Sequence, residues 1–266
     1  MLRPLLFAFL VGVPLLATAQ SSDSTLAWVQ GGPYRLKVAI SKSPTQTDAP
    51  TLVVVLHGDS PFAKPDYQDR FAAAVARAHS NTVVAAILRP GYTDPAGRTS
   101  DGERGQTTGD NWNAQNTDAL AAAIATLRDQ FHSPRLVLVG HSGGAALSAN
   151  ILARHPGLAQ AALLVSCPCD VPSWRAHMLR KAGFEGFRGD IQTLSPLALV
   201  DGLSPKVRIQ LIVGEQDDVA PPALTQAYAA ALQKRGIAAA TQVLSGEGHD
   251  ILLRPEVLKA LGPLLP

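Results

Sequence analysis

The chain has 266 residues, 46% of them hydrophobic and 17% charged, with 23 Lys and Arg against 21 Asp and Glu. This composition excludes a disordered chain, and a formal charge of +2 excludes a strong electrostatic pull on nucleic acid or anionic lipid. The length suits one domain with a large core.

Arg3, an apolar run from Leu5 to Leu16 and Ala17-Thr18-Ala19 follow one another at the start of the chain. A basic region, a short apolar core and an A-x-A site form the pattern of a secretory signal peptide, and the run is short for a permanent membrane anchor. Residues 1–19 are therefore read as the leader and 20–266 as the mature domain. Loss of Arg3 takes the charge from +2 to +1, and no other long apolar stretch remains to span a membrane. The mature protein is expected to be secreted or periplasmic.

From Tyr34 onward, strand-like runs alternate with alanine-rich helical stretches. Tyr34–Ile40 alternates and predicts an early, partly exposed strand. Thr51–Leu56 is continuously apolar, as a strand buried on both faces of a parallel sheet should be. Tyr67–His79 has helical spacing, Thr82–Leu88 is a second buried strand, and Asn113–Phe131 is a long helix with Leu120, Ile124 and Leu127 on one stripe. Arg135–Val139, Ala161–Val165, Val207–Val213 and Ala238–Leu244 are the remaining strands, with helices at Leu147–Ala153, Ala223–Lys234 and Glu256–Leu261. The alternation implies an α/β fold, a doubly wound and mostly parallel sheet of about seven or eight strands with helices on both faces.

Two segments break the rhythm. Thr93–Trp112 is a polar, glycine-rich loop, and Cys167–Lys206 is read as a small lid carrying Trp174, Phe184 and Phe187. Trp112 and Trp174 are candidates for an aromatic substrate-binding wall, with packing of the lid onto the body as the alternative. Cys167 and Cys169 are the only cysteines, separated by Pro168. An oxidising compartment favours a disulfide, although an i,i+2 bridge is tight and two free thiols are the alternative. So few ligands make a metal site improbable.

The stretch Gly140-His141-Ser142-Gly143-Gly144 follows a buried strand and opens a helix. Glycines on both flanks permit a sharp strand-to-helix turn that presents Ser142 at the C-terminal edge of the sheet, beside a helix N-terminus. A serine nucleophile needs a base. Of the seven histidines only His249 follows the last strand. The acid that orients such a base should follow the penultimate strand, where Gly214-Glu215-Gln216-Asp217-Asp218 stands. Asp217 is the choice and Asp218 the reserve, with Glu215 read as a solvated neighbour. The oxyanion donors are expected from the backbone N–H groups of Gly143 and Asp59, the latter after the turn His57-Gly58. His57 is read as a structural anchor of that turn, and His141 as pointing away from the site.

Taken together, His57-Gly58, Arg89-Pro90-Gly91-Tyr92, Gly140–Gly144, Gly214-x-x-Asp217 and Gly248-His249 resemble the α/β-hydrolase superfamily in type and order over nearly the whole mature chain. Ser195-Pro196 adds a similarity to its prolyl-oligopeptidase-like and dienelactone-hydrolase-like branches, and no His-Gly-Gly-Gly signature of one lipase and esterase group is present. The resemblance implies that Tyr92 lines the pocket. It also implies a serine hydrolase that acts on a small-molecule or peptide carbonyl, most simply a carboxylic ester, with neither metal nor organic cofactor. A peptidase with the same residues is the first alternative, with Asp101, Glu103 or Asp110 gripping an amine. A catalytically silent binding protein is the second.

Overall fold

Four strands carry a buried side chain at every position: β3 (Thr51–Leu56), β4 (Thr82–Ile87), β5 (Leu136–His141) and β6 (Ala161–Val165). Such runs are stable only where both faces of a sheet are covered. In the computed structural model, which describes residues 24–188 and 192–266, they form the centre of an eight-stranded sheet. The expected leader, residues 1–19, lies outside the described residues.

The strand order is β1-β2-β4-β3-β5-β6-β7-β8. Strands β1 (Thr25–Gly31) and β2 (Tyr34–Lys42) run antiparallel to their neighbours, and β3 to β8 are mutually parallel. Side chains alternate between two cores, as a period of two requires. Leu52, Val54 and Leu56 face one core with helices α2 (Ala114–Gln130) and α3 (Gly143–Arg154). Val53 and Val55 face the other with α1 (Tyr67–Ala78) and α6 (Pro255–Leu261). The sheet has edges and is not closed.

Two expectations change. Strand β1 has no counterpart in the sequence reading, because only Val29 and Gly31 of its seven residues are buried and its apolar pattern is faint. Strand β2 is buried along most of its length because Leu36, Val38 and Ile40 enter one core and Ala39 the other. Strands β7 (Arg208–Gly214) and β8 (Ala238–Leu244), with α5 (Pro222–Lys234) between them, complete the sheet.

The insertion after β6 is helical. Helix α4 (Val171–Ala182) is capped by the Asp170 carboxylate, which accepts from the Ser173 N–H, and ends at Gly183 in the left-handed conformation. Cys167 and Cys169 are bridged at its root. Among the described residues no helix is long and apolar enough to cross a membrane.

Candidate active site

The site grows from the end of β5. Ser142 follows His141 with φ 54° and ψ −121°, a backbone region that costs a non-glycine residue about 1–3 kcal/mol. Neighbouring hydrogen bonds hold it there. Its N–H donates to Val165 O (2.8 Å), and its carbonyl accepts from Ala145 N (2.9 Å) and Ala146 N (3.1 Å) in the first turn of α3. The flanking glycines are steric requirements. A Cβ on Gly140 would overlap the Gly144 carbonyl, and one on Gly144 would overlap the carbonyl oxygens of Leu56 and His57. Gly144→Val is therefore expected to cost about 3 kcal/mol or more, read as a lowered urea midpoint, since backbone rather than a mobile side chain must yield.

Three side chains from three distant loops meet here. Ser142 Oγ lies 2.9 Å from His249 Nε2, and His249 Nδ1 lies 2.9 Å from both carboxylate oxygens of Asp217. Asp217 Oδ1 also accepts from the N–H groups of Val219 (3.0 Å) and Ala220 (2.8 Å). Burial pushes the Asp217 carboxyl up. The His249 hydrogen bond and charge, with the Ala220 N–H, outweigh it and hold the group below its ordinary value. Asp217 is thus an anion at neutral pH, and its acceptor set places the His249 proton on Nδ1, leaving Nε2 free to receive the serine proton.

Asp218 points the other way. Its carboxylate is 75% exposed and pairs with Lys181 Nζ at 2.7 Å on α4. Glu215, expected to be merely solvated, accepts from Ser245 Oγ (2.7 Å) and Gly246 N (2.9 Å), and so braces the loop that carries His249.

The wall opposite is the turn after β3. Gly58 backs directly onto Ser142, since a Cβ there would come within 2.9 Å of the serine Cβ. Among the described residues, no protein acceptor takes the backbone N–H of Asp59 or of Gly143. The Asp59 side chain is fully engaged: Oδ1 meets Arg89 Nη2 (2.7 Å), Tyr92 Oη (3.2 Å) and Trp112 Nε1 (3.2 Å), and Oδ2 accepts from Gly109 N (2.6 Å). This buried ion pair and its hydrogen bonds fix the loop that presents the Asp59 N–H. His57 behaves as the expected anchor: its Nδ1–H donates to Gly58 O (2.7 Å) while Nε2 accepts from Arg89 N (3.0 Å).

With this geometry in place, the chain matches the prolyl oligopeptidase family over residues 91–259, a span that holds Ser142, Asp217 and His249. The chain belongs to the prolyl oligopeptidase family. It is a serine hydrolase by that membership, within the α/β-hydrolase superfamily that the sequence resembled. No curated protein matches it by sequence.

Solved structures share the fold of this prolyl oligopeptidase family member. The Pyrococcus furiosus esterase Pf2001 superposes with a TM-score of 0.68 at 16% identity, covering 95% of this chain and 93% of that one. Est1E from Butyrivibrio proteoclasticus, solved with ferulic acid bound, has a TM-score of 0.68 at 14% identity over 90% of this chain and 97% of its own. Acylaminoacyl peptidase from Pyrococcus horikoshii has a TM-score of 0.66 at 12% identity, covering 91% of this chain but 40% of that longer protein. At such identities the likeness is one of fold.

The aromatic wall is corrected. Trp112 and Trp174 are 0% and 1% exposed and lie with ring centroids 4.7 Å apart. Their indole N–H groups are taken by Asp59 and by the Val219 carbonyl (3.0 Å). They pack the long loop and α4 onto the body. Tyr92 is buried too, and borders a small cavity with Asp59, Arg104 and Thr107. Asp101 and Asp110, considered as amine grips, instead accept backbone N–H groups from Arg35 and from Gln106 and Thr107. Among the described residues no group of three or more His, Cys, Asp or Glu is arranged to hold a metal.

Sequence reasoning missed Ser166. It follows β6 with φ 51°, and its Oγ donates to the His249 carbonyl at 3.2 Å. Nothing in its neighbourhood signals this, because the partner is 83 residues away.

Burial sets an acid limit on stability. Burial first and the nearby His249 imidazole second push His141 down to about 4 from an ordinary 6.5. Burial and then Arg89 lower His57 in the same sense. Between pH 6.5 and about 4 the unfolded chain binds a proton at position 141 that the folded one refuses. Stability is complete above that window and falls as pH drops through it. Between about pH 7.5 and pH 5, urea unfolding is expected to show a loss of roughly 2 kcal/mol from His141 alone, and His141→Gln should flatten the dependence.

Proposed function

We propose that this protein is an exported serine hydrolase that cleaves a carboxylic ester through an acyl-enzyme on Ser142. The observation that carries the reading is the line Ser142 Oγ, His249 Nε2, His249 Nδ1, Asp217, with both links at 2.9 Å. Ser142 attacks the ester carbonyl carbon while its proton passes to His249 Nε2, and Asp217 stabilises the imidazolium. The developing oxyanion accepts from the N–H groups of Asp59 and Gly143. His249 returns the proton to the leaving alkoxide, and water then releases the acyl group by the same steps in reverse order. Export is supported by the leader pattern at residues 1–19 and by the Cys167–Cys169 bridge, since disulfides persist in oxidising compartments.

A peptidase is the second reading, favoured by the family membership and by the fold likeness to acylaminoacyl peptidase. Against it, two of the three acidic side chains considered for holding a substrate amine, Asp101 and Asp110, accept backbone N–H groups, which leaves the exposed Glu103 as the candidate grip. A p-nitrophenyl acyl ester is expected to exceed an aminoacyl p-nitroanilide by roughly a hundredfold in kcat/KM. The opposite ranking rejects the ester and leaves the serine mechanism standing.

A further inference from the structure

Two aromatic side chains connect the turn after β3 to the main chain of His249, and the reaction described above uses neither. The Gly58 N–H donates to Tyr67 Oη (2.5 Å), Tyr67 Oη lies 2.8 Å from His141 Nδ1, and His141 Nε2 lies 3.0 Å from the His249 carbonyl oxygen. The proton positions follow from donor counting. Tyr67 has one proton, and its oxygen already accepts from Gly58, so that proton goes to His141 Nδ1. His141 then carries its own proton on Nε2 and donates it to the His249 carbonyl. The opposite tautomer would leave the tyrosine proton without an acceptor and set an imidazole lone pair against a carbonyl lone pair.

Both rings stay neutral at working pH: burial lowers His141 to about 4 and raises Tyr67 well above its ordinary value. A cavity of about 270 Å³ is lined by both residues. The Tyr67 and His141 rings also meet edge-on at 5.5 Å, and His141 lies 5.1 Å from the His249 ring, so hydrogen bonds and ring contacts act on the same pair. At one end of the chain of bonds stands Gly58, next to the Asp59 N–H; at the other stands the backbone of His249. Ser142 lies between them, one residue after His141.

We infer that Tyr67 and His141 are positioning residues that hold the oxyanion turn and the His249 main chain at a set separation across the nucleophile. This rests on the roles proposed above for Ser142, Asp59 and His249. Ser166 Oγ is a second donor to the same His249 carbonyl, so loss of the relay loosens the base without freeing it. A displacement of a few tenths of an ångström at either end weakens proton transfer and oxyanion binding but leaves ground-state binding of the substrate intact.

The test uses the full chain, a p-nitrophenyl butyrate assay and ¹⁵N–¹H spectra of the histidine rings. Tyr67→Phe and His141→Leu are each expected to lower kcat about tenfold while KM stays within about twofold. His141→Gln retains an N–H for the His249 carbonyl and should recover part of the loss. The double variant Tyr67→Phe/His141→Leu should be no slower than the worse single variant, because both break one chain of bonds. The wild-type His141 ring should show the Nε2–H tautomer. An Nδ1–H tautomer, a kcat within about twofold of wild type in Tyr67→Phe, or losses that multiply in the double variant would each overturn the inference. Failure of a fluorophosphonate probe to label wild-type Ser142 would instead reject the hydrolase mechanism, and the tautomer measurement would still judge the relay.

Discussion

Replacing Ser142 with alanine is expected to lower ester hydrolysis by at least about a thousandfold and to abolish labelling by a fluorophosphonate probe. Among the described residues the hydroxyl is the group hydrogen-bonded to His249 Nε2, at 2.9 Å, so its loss removes the attacking atom. The fold should survive. Alanine keeps the strained φ of 54° and loses only one partly buried hydrogen bond, which makes the urea midpoint change small. Ser142→Gly goes further, since glycine accepts that backbone region without cost. It is expected to be equally inactive yet more stable than wild type by about 1 kcal/mol, the strain that the serine turn otherwise stores. A glycine variant no more stable than the alanine one would remove backbone strain from the account of this turn.

Asp217→Asn is expected to lower kcat by about 10³–10⁴-fold, whereas Asp218→Asn should leave it within about twofold. The difference follows from what each side chain touches. Val219 and Ala220 donate N–H groups to Asp217 Oδ1, so an asparagine must turn its carbonyl oxygen toward them. Its NH₂ then faces His249 Nδ1 and forces that nitrogen to become the acceptor. The imidazole proton moves to Nε2, and the base no longer accepts from Ser142. Asp218 loses only its exposed pair with Lys181. Steady-state kinetics of the two variants, with the His249 tautomer read by NMR, check the argument. Comparable losses at both positions would refute it.

The parts of this site legible in the sequence are those governed by local sterics and by chain order. Gly140–Gly144 declares the turn because a Cβ on Gly140 or Gly144 would overlap backbone oxygens. Continuous apolar runs such as Thr51–Leu56 declare a sheet covered on both faces, and a doubly wound sheet places successive loops at one edge. His249 after β8 and an aspartate after β7 follow from that topology. The insertion after β6 was legible as an interruption of the alternation, though its helix was not, because α4 has a buried face of only Val171, Trp174 and Arg175.

By itself, then, the sequence determined the α/β fold, the strand-to-helix turn at Ser142 and the candidate base, since backbone sterics, apolar periodicity and element order are written residue by residue. Only the tertiary structure decided between Asp217 and Asp218, because adjacent side chains in one turn point in opposite directions and the choice depends on where His249 arrives. It also decided that Trp112 and Trp174 face each other in the interior, and that His141 and Ser166 meet the His249 carbonyl. These contacts join residues up to 108 positions apart, and a hydrogen bond across such a distance leaves no periodic trace in the chain.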